Sequence, residues 1–135
     1  MPEPIPASHA DLFGKKAIAY LACHLSDGGI LVNPVWVDHD GTHVVVNSAR
    51  GRLKDRRMRA DKRVTLCVTD PDDPFRYLEV RGEVVEITSE GAAEHIDRMA
   101  RRYLGVERYP YHRPEEERVL YRIVPHKVLA FPPPR

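Results

Sequence analysis

Val64, Leu66 and Val68 alternate with Thr65, Cys67 and Thr69 in the stretch KRVTLCVTD (62–70). A period of two marks a strand with one buried face. Comparable strand-like runs recur at KAIAYLACHL (16–25), ILVNPVWVDH (30–39), THVVVNS (42–48), FRYLEVRGEVVEI (75–87) and RVLYRIV (118–124). Turn residues separate several of them: SDGG (26–29), DHDG (38–41) and PDDP (71–74). Connections this short join strands that run antiparallel. Pro34 has no N–H to give a ladder, so its strand is expected to be an edge or bulged there. Gly82 predicts a bulge or bend in the 75–87 run.

The period changes in two places. Gly51 to Ala60 holds good helix formers and no β-branched residue, which predicts a helix. From Thr88 to Leu104, apolar residues recur at helical spacing (Ala92, Ile96, Met99, Ala100, Tyr103), and Gly105 is placed to stop the helix. Pro2, Pro4 and Pro6 predict an extended N-terminal arm over 1–8, after which Ser8 is expected to cap a short helix, 9–13. A polar, aromatic loop covers 105–117. About six strands and two or three helices in this order define a mainly β, α+β chain: a small six-stranded antiparallel barrel with attached helices, not a doubly wound sheet. The 135 residues fit a single domain, 1–135.

Residues 50–63 carry eight Lys or Arg and two acids. This net +6 leaves −5 for the rest of a chain whose formal charge is +1. Three roles compete for the stretch: a solvated helix face, a nucleic-acid patch, or a seat for an anionic cofactor. A charged helix face is most often only solvated. A general nucleic-acid binder is more often basic throughout, and this charge is local. As an anion seat the stretch has the right parts. A helix N-terminus offers free N–H groups and partial positive charge. Arg52 offers a planar fork, Lys54 a compact point charge, and Arg56, Arg57, Arg59 and Arg63 extend the field.

Other features carry less. Cys23 and Cys67 stand in apolar runs in no CxxC pattern, which predicts buried free thiols and suits a reducing cytosol. His39, Asp40 and His43 flank a hairpin turn without a metal-ligand pattern, so no metal site is assigned. No G-x-S-x-G elbow accompanies Ser48, which argues against a hydrolase. The longest apolar run, AIAYLAC (17–23), is too short to span a membrane, and the N-terminus has no signal-peptide pattern. Trp36 and Tyr20 are expected in the core. Tyr109 and Tyr111 either line a substrate mouth or form a rigid surface turn.

Four stretches together resemble a known family: NPVWVDHDG (33–41), NSARGRLKDRRMRADKRVTLCVTDPDDPFRYLEVRGEV (47–84), HIDRMARRYLGVERYP (95–110) and RVLYRIVPHKVLAF (118–131). They resemble the split-β-barrel flavin and deazaflavin oxidoreductases, the pyridoxamine 5′-phosphate oxidase superfamily, and within it the branch using coenzyme F420. The likeness implies an FMN-binding split-barrel fold and a homodimer with a cofactor groove between protomers. In the family an R-x-K pair after the third strand holds the cofactor phosphate; here it falls on Arg52 and Lys54, with Ser48 upstream and Arg59 downstream. Serine is usual two residues before the lysine in flavin-using relatives, so Arg52 implies the deazaflavin. Proline is usual where Ile30 stands and serine where Asn33 stands, both near the ring system. The basic motif that grips pyridoxal phosphate near the family's C-terminus is missing.

The expectation is therefore a cytoplasmic F420-dependent reductase that passes hydride to a small conjugated acceptor. Asn33, Ser48, Arg52, Lys54 and Arg59 are its expected cofactor residues, and Tyr109 and Tyr111 its substrate mouth. A phosphate anchor continued by a basic track suits a deazaflavin with an oligoglutamate tail; FMN would leave much of that track unused. The rivals are an FMN-dependent enzyme of the same fold, a non-catalytic cofactor carrier and, least favoured, a nucleic-acid module. No membrane partner is expected.

Overall fold

The structure is a computed structural model of the chain, and residues 2–134 are described. Six strands form it: β1 (Ile18–His24), β2 (Ile30–His39), β3 (Val44–Ala49), β4 (Arg63–Asp70), β5 (Asp73–Thr88) and β6 (Arg118–Phe131). They close into one antiparallel barrel in the order β1-β2-β3-β6-β5-β4, with β4 pairing back onto β1. Two α-helices, α1 (Leu53–Ala60) and α2 (Ala92–Leu104), interrupt the strand order where the period changes, and a 3-10 helix covers Ala7–Gly14. No described helix is long and apolar enough to cross a membrane.

Alternation does the sorting. Leu21, Val46, Leu66, Leu78, Val80 and Tyr121 point inward and are buried, while their neighbours along each strand point out. α2 covers part of the outer face. Its Ile96, Met99 and Tyr103 pack on Ile18, Trp36 and Tyr109, and the Tyr103 hydroxyl donates to Ala17 O at 2.5 Å. Gly105, at φ 70°, ends α2 by donating its N–H to Arg101 O, the left-handed cap that glycine adopts without strain.

Two strand features meet in one bulge. The β5–β6 register shifts between Arg81 and Gly82, where Gly82 faces Pro125 and Arg81 faces Lys127. The shift absorbs a proline that cannot donate, and β6 continues to Phe131, well beyond the expected end at 124. A Cβ on Gly82 would overlap the Val124 carbonyl oxygen. The N-terminal arm lies against this part of β6: Glu3 N–H donates to Pro125 O, and Val128 N–H donates to Glu3 Oε2. Ser8 does not cap the 3-10 helix, whose N-cap is Pro6; the Ser8 hydroxyl instead bonds His9 Nδ1.

Tyr20 departs from its expected place. It is 45% exposed on the outer wall, opposite Pro34 on β2 and Cys67 on β4. Cys67 shares that outer row and is half-buried, while Cys23 is buried inside the barrel. Burial raises both thiol pKa values.

Candidate functional site

β2 and β3 pair only over Val37–His39 against Val44–Val46. Beyond Val37, β2 keeps only β1 as a partner and β3 keeps only β6. Pro34 lies in this unpaired half, where its missing N–H removes no ladder bond. The strands part there, and a pocket of about 370 Å³ opens beside the gap. Pro34, Val35 and Trp36 line it from β2, Asn47 from β3, Ile18 from β1 and Ile96 from α2. Tyr109 and Tyr111 from the 105–117 loop complete the apolar wall, and Arg52, Lys54 and Arg118 supply charge.

Strand parity decides which neighbours face this pocket. Val44, Val46 and Ser48 form the interior row of β3, so Ser48 is buried in the barrel, its Oγ without a partner, while Asn47 faces the pocket. Asn33 likewise shares the interior-facing row of β2 with Leu31, Val35 and Val37; of that row the pocket reaches only Val35, beside Pro34 and Trp36 from the outer row. A shift of one residue exchanges the two faces of a strand. Neither Asn33 nor Ser48 lines the pocket. Trp36, expected in the core, is half-buried and forms the pocket wall. It stacks on Tyr103 with ring centroids 5.0 Å apart and meets Tyr109 edge-on at 6.0 Å.

The basic stretch resolves into unequal members. Arg50 pairs with Glu117, Arg59 with Asp55, and Arg63 with Asp61. Arg57, expected to extend the positive field, instead donates its Nε–H to His24 O at 2.8 Å and ties α1 to the end of β1. The expected track toward Arg59 is therefore largely spent within the protein, and Arg59 does not line the pocket. Lys54 differs from all of these. It is half-buried, lines the pocket and has no carboxylate partner among the described residues. Burial, then the charge of Arg52, lowers its pKa. Arg52 is the N-cap of α1 and bonds Glu116 Oε2 at 2.9 Å.

Asp55 holds this junction from beneath. It accepts from Gly51 N–H at 2.9 Å, from Arg59 Nε and from the buried Tyr121 hydroxyl. Burial pushes its pKa up, but the bonds from Tyr121, Gly51 and Arg59 more than offset this and leave it below the usual carboxylate value.

Arg118 is a pocket residue that the sequence reading did not single out. It follows the acidic run Glu115–Glu117, some sixty residues past the basic stretch, and reaches the pocket because Ala49 pairs with Arg118 across β3 and β6. It is 6% exposed. Its Nε donates to Asn47 Oδ1 at 3.0 Å, and its guanidinium lies 5.1 Å from the Tyr109 ring centroid. Nη1 has no hydrogen-bond partner among the described residues. Burial lowers its pKa.

A polar chain fixes Arg118 from behind. The Asn47 amide nitrogen donates to Ala92 O at 2.8 Å and to His95 Nδ1 at 3.1 Å. Nδ1 then carries no proton, and His95 Nε2–H donates to Asp38 Oδ2 at 3.1 Å. Arg102 holds the other Asp38 oxygen at 3.0 Å. Burial raises the Asp38 pKa, but His95 and Arg102 outweigh it and hold the carboxyl well below the usual range.

Asp40, which stands with His39 and His43 at the hairpin, is engaged in its turn: Oδ1 accepts from Thr42 and His43 N–H. No group of three metal-ligating side chains occurs among the described residues.

A closed six-stranded antiparallel barrel with attached helices, carrying an aromatic pocket and converging cations on its outer wall, is a split-barrel protein. The family model for pyridoxamine 5′-phosphate oxidase matches residues 5–131, and the chain belongs to that family, whose members bind flavin or deazaflavin cofactors and include oxidoreductases. Among solved structures it is similar to an F420 reductase, at 28% identity and a TM-score of 0.80, over 93% of this chain and 98% of that one. It also shares its fold with a conserved hypothetical protein from Mycobacterium tuberculosis (22% identity, TM-score 0.73, 96% and 85% covered). General Stress Protein 26 from Bacillus anthracis is similar at 19% identity and a TM-score of 0.68, over 91% and 90%. No curated protein matches the chain significantly.

Proposed function

We propose that this chain is an F420-dependent oxidoreductase that acts as a homodimer. Arg52 and Lys54 hold the phosphate of the deazaflavin, and Trp36, Tyr109 and Tyr111 wall its ring system. One observation carries the reading: a half-buried lysine without a carboxylate partner converges with Arg52 on an aromatic pocket, in a chain whose fold overlays an F420 reductase. The pocket's residues fit such a group, since its cations are only partly satisfied by the protein's own carboxylates. When bound, the deazaflavin supplies hydride to a small conjugated acceptor. The chain supplies the phosphate grip, the ring's orientation and a wall against water.

Two observations support the dimer. A pocket of about 370 Å³ lies at the low end of ligand sites, which span roughly 300–1,000 Å³, so a cofactor with a peptide tail needs further walls. Beside it runs an exposed apolar strip of Tyr20, Ile30 and Val32, continuous with Pro34 of the pocket. A second copy laid on this strip would cover it and close the groove.

One finding favours a second reading, FMN in the same seat. Arg57, Arg59 and Arg63 are engaged within the protein, so little free track remains for an anionic tail. Parallel titrations of purified protein with FMN and with the deazaflavin, following Trp36 fluorescence, decide between them. Tenfold tighter binding of FMN would reject the deazaflavin reading. Hydride transfer from reduced F420 to a panel of conjugated acceptors then separates enzyme from carrier.

A further inference from the structure

Glu116 stands among the pocket's cations. Its Oε2 accepts from Arg52 Nη2 at 2.9 Å, and its Oε1 lies 3.6 Å from Arg118 Nη1. The second distance is too long for a hydrogen bond. Both Oε1 and Nη1 are buried and otherwise without a partner among the described residues. One carboxylate thus reaches between two guanidinium groups and satisfies only one of them.

We infer that Glu116 is an internal occupant of the phosphate seat, and that Arg118 is the third cation of that seat. The inference rests on the reading of Arg52 and Lys54 as the phosphate grip. Arg118 cannot swing out to meet the carboxylate, because Asn47 holds its Nε and Tyr109 covers its face. A buried guanidinium N–H without a partner is costly, so the anion that completes it is favoured over one that does not. A carboxylate offers two oxygens in one plane. A phosphate group is larger and tetrahedral, and its oxygens can engage Arg118, Arg52 and Lys54 together.

The exchange needs only a side chain to move. The backbone beside Glu116 is pinned, with Arg50 N–H donating to Glu117 O at 2.9 Å and Glu116 N–H donating to Arg113 O at 3.0 Å. When phosphate enters, the Glu116 carboxylate rotates toward solvent and the loop keeps its place. Without ligand, Glu116 offsets the repulsion among three neighbouring cations. With ligand, it is a competitor. Its removal therefore tightens phosphate binding, the reverse of what loss of a structural ion pair would do.

The test uses Glu116→Gln, Arg118→Gln and Arg118→Lys with inorganic phosphate, FMN and riboflavin as probes, read by calorimetry on the full chain. Glu116→Gln is expected to tighten inorganic phosphate and FMN by about tenfold or more and to leave riboflavin unchanged. Arg118→Gln is expected to weaken phosphate and FMN by about tenfold or more without affecting riboflavin, with partial recovery in Arg118→Lys. Unchanged or weaker phosphate binding in Glu116→Gln, or no phosphate binding by either form, would overturn the inference. Equal loss of riboflavin and FMN in Arg118→Gln would remove Arg118 from the seat. If Arg118→Gln fails to fold, Arg118→Lys decides that part. A wild-type chain that binds phosphate in competition with Glu116, yet takes neither FMN nor the deazaflavin, would leave the seat standing and reject the proposed function.

Discussion

The hydroxyl of Tyr121, rooted inside the barrel, lies 2.5 Å from Asp55 Oδ1 at the start of α1. This bond, with Gly51 N–H on the other oxygen, ties the core to the turn that presents Arg52 and Lys54. Tyr121→Phe is expected to cost about 1–3 kcal/mol in urea unfolding, since it leaves a buried carboxylate short of a donor. The folded-state pKa of Asp55 lies below its unfolded value. Its contribution is therefore present above the unfolded carboxylate pKa and lost as pH falls through the folded one. Asp55→Asn should lower stability at neutral pH and flatten the acid limb of the stability profile. An acid limb as steep as wild type would refute this.

The eight basic residues of 50–63 should divide by position. Arg52→Ala and Lys54→Ala are each expected to weaken cofactor binding by about ten- to a hundredfold. Arg63→Ala, on the surface with Asp61, should leave affinity unchanged. Arg57→Ala should cost about 1 kcal/mol of stability, through its lost bond to His24 O, with affinity kept. Equal losses of affinity at all four sites would argue for a diffuse electrostatic surface instead.

Gly82→Ala places a Cβ against the Val124 carbonyl at the β5–β6 bulge. The backbone must shift to admit it, at a cost of about 1–3 kcal/mol. Thermal unfolding of this variant should show a clear drop, whereas an unchanged midpoint would mean that the bulge is loose.

Sedimentation should give about twice the chain mass of 15.4 kDa. Val32→Asp puts a charge on the exposed apolar strip and should yield a monomer with weakened cofactor binding. A monomeric variant that binds cofactor at full affinity would dismiss the shared groove.

Much of the barrel was legible because alternation such as Val64–Leu66–Val68 reports burial directly. Gly82 announced its bulge, and Pro34 announced the place where β2 loses a partner. The pocket was less legible. Ser48 and Asn33 sit one residue from pocket-lining positions, and local sequence does not fix strand parity beside a gap in pairing. Arg57 read as part of the basic track because its acceptor, a carbonyl on β1, lies outside its own helix. Arg118 joins Arg52 only through barrel closure, and no spacing rule links residues so far apart. The run EEER (115–118) was the available signal: acids beside an apolar strand onset call for nearby cations.

The split between inward and outward rows has an evolutionary consequence. In β2 and β3 residues that hold the barrel together are interleaved with residues that line the pocket, so adjacent codons answer to different demands. Val46 and Asn47 are neighbours in the chain, yet the first packs inside the barrel and the second faces the pocket. A lineage can therefore alter exposed pocket positions such as Pro34 and Tyr111 while the barrel interior stays untouched. On this scaffold the lining of the pocket can change by single substitutions outside the barrel interior.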